Sequence, residues 1–166
     1  MIRALTLDPT GSHAPHDTIS LVRERRYARR TRLESDRGLT ILLDLAEATE
    51  LEDGAALVLE DGRHIRVVAA PEPLLEIRAR DARHLAQLAW HIGNRHLPAE
   101  IQDGRLLIQR DHVIADMVHR LGGTVSEVVE PFRPEGGAYG HGRTHGHHHH
   151  HDPQADPNAH IPGRHS

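Results

Sequence analysis

The chain has no cysteine among its 166 residues. Disulfides, thiolate metal sites, iron–sulfur clusters and cysteine nucleophiles are therefore excluded. Aromatic residues make up 2% of the chain, so a core must be built from Leu, Ile, Val and Ala. The aromatic platforms on which single-stranded RNA is stacked are also missing. Lysine is absent, and all 20 basic residues are arginine. No stretch reaches the roughly 18 apolar residues of a membrane span. Residues 1–8 lack the basic and apolar regions of a signal peptide. The expectation is a soluble cytoplasmic protein with neither membrane nor nucleic acid as partner.

Histidine is what the chain has in excess. There are 17, against a net charge of −4 with histidine neutral. Free imidazole titrates near pH 6.5, so acidification would reverse the sign of the net charge. Nine of the histidines lie in residues 133–166, beside six Gly, four Pro and a single large aliphatic residue, Ile161. Such a segment buries too little surface to offset its ordering entropy and reads as a disordered tail. His141, His145, His147, His148, His149, His150 and His151 form its metal-binding tract, since neutral imidazole is a good ligand for nickel, zinc and copper. Fifteen residues follow this run, and Gly, Arg and Thr interrupt it, unlike a purification tag.

Before the tail, two patterns succeed one another. In residues 1–70, short β-branched or aliphatic runs at 18–22, 39–43, 56–59 and 64–68 alternate with turn signals at Asp53-Gly54 and Asp61-Gly62. This predicts a small all-β domain. Pro71-Glu72-Pro73 reads as a linker. In residues 74–132 a strand is followed by an Asp81-capped helix with Leu85, Leu88, Ala89 and Ile92 at helical spacing. Strands around Asp103-Gly104 come next, then a helix capped by Asp111, then a strand over 124–129. The order β-α-β-β-α-β is that of the ferredoxin-like unit. The expected class is α+β: all-β domain, ferredoxin-like domain, disordered tail.

Within the ordered part His96 lies in Gly93-Asn94-Arg95-His96-Leu97-Pro98, between a helix-ending Gly and a Pro that forbids continuation. It should sit on a constrained turn, either as a surface histidine or as a ligand shared across a two-fold axis. His112, Asp116 and His119 share a helical face, either as a weak metal site or as a solvated surface; His84 and His91 pose the same alternative. His13 and His16 lie in a polar segment and carry little information. Seven arginines between Arg23 and Arg37 read as a solvated strand face or a contact for an acidic protein surface.

Taken together, Gly93 to Pro98, then Asp111-His112-Val113 with Met117, then Phe132-Arg133-Pro134-Glu135-Gly136-Gly137-Ala138-Tyr139-Gly140, then a histidine-rich tail, resemble the urease accessory protein E family of nickel chaperones. The arginine-rich residues 23–37 leading into Gly38-Leu39-Thr40-Ile41 are similar to the family's first domain. The resemblance implies a partner-binding N-terminal domain and a metal-binding, dimerising C-terminal domain. It also implies one nickel held between the His96 residues of two protomers, with tail histidines as additional ligands, and delivery to apo-urease through a GTPase accessory protein. One departure is Arg110, where some members carry a further histidine; His112 keeps its match.

Other functions fit less well. The chain has no H-E-x-x-H and no serine nucleophile motif, so no enzyme is expected. A histidine-rich nickel or zinc store without a dedicated client would suit the tail but would not need the ordered body.

Overall fold

The computed structural model describes residues 1–136; the histidine tract at 141–151 and the expected disorder of the tail lie outside the described residues. The N-terminal domain is a six-stranded mixed sheet in the order β2-β6-β5-β1-β4-β3. Its strands are β1 (Ile2–Asp8), β2 (Asp17–Leu21), β3 (Tyr27–Glu34), β4 (Thr40–Glu50), β5 (Ala56–Leu59) and β6 (His64–Ala69). In β6, and in the first half of β4, every second residue is buried, as strand periodicity requires of a sheet with one covered face. Ile19, Leu33, Ile41, Leu43, Leu57 and Ile65 meet in an aliphatic core.

The C-terminal domain begins with β7 (Pro71–Arg78), followed by α1 (Ala82–Gly93), β8 (Ala99–Gln102), β9 (Arg105–Gln109), α2 (His112–Arg120) and β10 (Thr124–Pro131). Its sheet runs β10-β7-β9-β8, antiparallel throughout, which is the ferredoxin-like arrangement expected from the sequence. Both helices start where the sequence places a cap. Asp81 accepts from the His84 N–H at 2.7 Å, and Asp111 accepts from the Val113 and Ile114 N–H groups at 2.9 and 3.1 Å. Leu88 and Ile92 of α1, with Ile114 and Val118 of α2, cover Leu75, Ile77, Leu106 and Ile108 of the sheet.

Pro71-Glu72-Pro73 is a strand start and not a linker. These residues pair with β10, Pro71 opposite Pro131 and Pro73 opposite Val129. Pairing with β9 begins only at Leu74, so the prolines' missing N–H groups cost no ladder bond on that side. Glu72 is buried, and its carboxylate accepts from the Arg23 backbone N–H at 2.8 Å and from Gln109 Nε2 at 3.2 Å. Buried Arg26 donates to the Phe132 carbonyl, and Arg133 pairs with Asp53 at 3.3 Å. Phe132 is fully buried against Leu74 and Leu107, on the face of the sheet away from the helices. The junction between the domains is thus made by polar contacts around an apolar cluster.

Candidate metal centre

His96 sits in the turn between α1 and β8. The sequence sets this turn in three steps. Asn94 caps α1, its N–H bonded to the Trp90 carbonyl at 3.0 Å; the His96 N–H bonds to the Gly93 carbonyl at 3.0 Å; Pro98 bars further helix. Leu97 packs against the core, and Arg95 Nε donates to Met117 Sδ at 3.2 Å, so the turn leans on α2. His96 has φ +56° and is the one non-glycine residue with positive φ among those described. A side chain in this left-handed region costs roughly 1–2 kcal/mol. The imidazole is exposed. A strained, anchored backbone therefore presents a free side chain to whatever approaches this end of the domain.

His112 is the first residue of α2 and is exposed, as are Asp116 and His119. None of them, nor His96, belongs to a converging group of three ligand atoms among the described residues. His84 is structural. It is buried, its Nδ1 accepts from the Arg80 N–H at 3.2 Å, and its Nε2 donates to the Leu121 carbonyl at 2.7 Å, tying α1 to the end of α2. Both ring nitrogens are used, which leaves none for a metal. Arg110 lies across the sheet, donating to the Leu74 and Val128 carbonyls at 3.3 Å each.

One group of three potential ligands does converge among the described residues, and the sequence did not suggest it: Asp8, His13 and His64, with one ligand atom from each lying within 4.8 Å of the others. The His13 and His64 rings stack with centroids 4.4 Å apart, and His13 Nδ1 is 3.6 Å from Asp8 Oδ2. Hydrogen bonds from the Thr10 hydroxyl and N–H, the hydroxyl's being the larger influence, hold the Asp8 carboxyl below the usual carboxylate range. Asp8 ends β1 and His64 opens β6, two strands separated in the sheet by β5. No spacing in the sequence links them; only the sheet order does.

Comparison with known proteins follows the same division of the chain. Residues 1–70 match the family model of the UreE urease accessory protein N-terminal domain, and residues 72–160 match that of its C-terminal domain. A urease accessory protein UreE from Chelativorans sp. is 55% identical over 139 residues, covering 84% of this chain and 87% of its own length. That of Ruegeria pomeroyi is 57% identical over 130 residues, 78% of this chain and 85% of its own. That of Rhodopseudomonas palustris is 61% identical over 123 residues, 74% of this chain, and the match spans 57% of its length.

Proposed function

Because the chain belongs to the UreE family of urease accessory proteins, we propose that it is a nickel metallochaperone, which carries nickel as cargo and delivers it to apo-urease. The carrying observation is the backbone of His96. A residue kept in the left-handed region at a cost, on a turn anchored at both ends, with its imidazole exposed, is a ligand held ready and not a side chain that settled where it was comfortable.

One imidazole does not hold an ion. A two-fold pair of chains supplies two copies of His96, and the homodimer is the simplest way to complete the site. Trp90 and Val113, 64% and 52% exposed on α1 and α2, give the helical layer apolar surface to bury against a second copy. His112 and tail histidines 141, 145 and 147–151 supply further, exchangeable ligands. Zinc and copper suit the same donors. A two-imidazole site completed by water or tail is open, so a recipient's ligands can enter before the protein's leave, and catalysis at the metal is not part of the role. The recipient is apo-urease, approached with a GTPase accessory protein in the cytoplasm, and the N-terminal domain is the surface that meets these partners.

The test is activation of apo-urease at limiting nickel, with the GTPase present and the nickel-loaded chain as sole metal source. The intact chain should restore ureolysis, and His96→Ala should deliver several-fold less while binding similar total nickel through its tail. Equal activation by His96→Ala would take delivery away from His96, and no activation by the intact chain would leave it a histidine-rich store.

A further inference from the structure

Outside the His96 turn, the structure holds a second set of metal-ligand side chains whose surroundings are built to keep them together. The loop between β1 and β2 carries His13, and contacts along its length fix it. Asp8 Oδ1 accepts from the Thr10 N–H at 2.9 Å and from the Thr10 hydroxyl at 2.7 Å, turning the chain out of β1. Gly11 has φ +55° and packs so closely on the Gly54 carbonyl that a Cβ there would stand 2.0 Å from its oxygen. Arg66 donates to the Gly11 and His13 carbonyls at 2.7 and 3.2 Å. The His16 N–H bonds to the His64 carbonyl at 2.8 Å. These contacts hold the backbone and leave the His13 side chain 68% exposed.

His64 makes the second observation. Its Nδ1 is buried and has no hydrogen-bond partner, although a buried polar atom is normally satisfied by protein, water or an ion. The nearby cations are otherwise engaged. Arg63 pairs with Asp61 at 2.8 Å and reaches His16 Nε2 at 3.1 Å, while Arg66 is spent on the loop carbonyls. Asp8 Oδ2 accepts no bond from Thr10 and faces His13.

We propose that Asp8, His13 and His64 form a divalent-cation site within a single N-terminal domain, separate from His96. Two imidazoles and one carboxylate suit zinc, nickel or copper, with the remaining positions open to water or to a partner's ligand. Ligands bonded at about 2.1 Å to a tetrahedral ion stand roughly 3.4 Å apart, so the ion draws the group inward by about an ångström. The exposed His13 side chain makes that movement while Arg66 and Gly11 hold its backbone. The site gives the protein a second, monomeric place to carry an exchangeable ion.

Zinc is a suitable probe because it is diamagnetic. The full chain is titrated with zinc beyond saturation of its tail, and imidazole nitrogen resonances are followed by long-range proton–nitrogen correlation spectra. His13 and His64 ring nitrogens should shift together toward the values of coordinated imidazole. In Asp8→Asn and in His13→Ala the His64 shift should be lost while the tail histidines still respond. The amide signals of Gly54 and Arg66 report whether each variant keeps its fold. In His96→Ala both shifts should persist, which separates this site from the His96 reading. Unmoved His13 and His64 signals in the intact chain, or a His64 shift that survives both substitutions, would reduce the group to a stacked pair beside an ion-paired carboxylate and overturn the proposal.

Discussion

In the C-terminal domain His96 stands on a strained turn, exposed and outside any converging group of three ligands among the described residues. In the N-terminal domain Asp8, His13 and His64 converge within one chain, and the glycine beside them takes the positive φ that their loop demands. The positive φ therefore falls on the histidine itself in one domain and on a glycine in the other. A lone candidate ligand has to be aimed outward by its backbone, whereas candidate ligands that already face one another need only a loop that stays in place. Under the two proposals made above, the first arrangement is completed by a second copy, whereas the second gathers its three protein ligands within one chain.

The largest way to break the comparison is to part the two domains. Phe132 is fully buried and its carbonyl accepts from Arg26, so Phe132→Ala should cost about 3–5 kcal/mol by loss of packing and the cavity left behind. Urea unfolding followed by amide signals from each domain should show the two melting together in the intact chain and separately in the variant.

Acid should act on metal and fold in different windows. Protons compete with the metal for each imidazole nitrogen, so nickel binding in both domains should weaken as the pH falls below neutral. The fold is held by carboxylates whose pKa lies below the usual range: Asp17 by its hydrogen bond with Ser35, Asp36 by Thr18, Glu76 by Arg78 and Glu130 by Arg105. A carboxyl with a lowered folded pKa adds stability that is fully present above its ordinary value near pH 4 and is lost as the pH falls through the lower folded value. Nickel binding and circular dichroism measured together from pH 8 to 2 should therefore show metal loss well before unfolding.

Two smaller changes address the C-terminal domain alone. Asp111→Ala removes the cap of α2 and should cost about 1 kcal/mol without moving the His13 and His64 resonances. His96→Gly should raise stability by up to about 1 kcal/mol by relieving the left-handed strain, while His96→Ala keeps that strain; thermal melting of the two variants separates backbone cost from loss of the ligand.

Much of the fold was legible because its signals are local. Asp81 and Asp111 cap their helices by bonding N–H groups two or three residues on, and the Asp103-Gly104 turn joins adjacent strands. What escaped depends on distant pairing. β1 gains strand character by pairing in parallel with β4, Ile2 opposite Ile41. β3 is only one of the two readings that its arginines allow; Arg29, Arg30 and Arg32 are exposed on an edge strand, where charge discourages further pairing. Pro71 and Pro73 read as a break because their tolerance rests on which neighbour β9 reaches. The turn that carries His96 was legible because Gly93 and Pro98 bracket it within six residues. The Asp8, His13 and His64 group was not, because sheet order alone assembles it.

The central contrast is tested most directly by calorimetric nickel titration of the chain ended after Tyr139, intact and as His96→Ala, with the mass in solution measured alongside. The expected result is one tight nickel per two chains, lost in His96→Ala, with weaker binding left at Asp8, His13 and His64. A single tight nickel per chain that survives His96→Ala would contradict it and would place the principal site in the N-terminal domain.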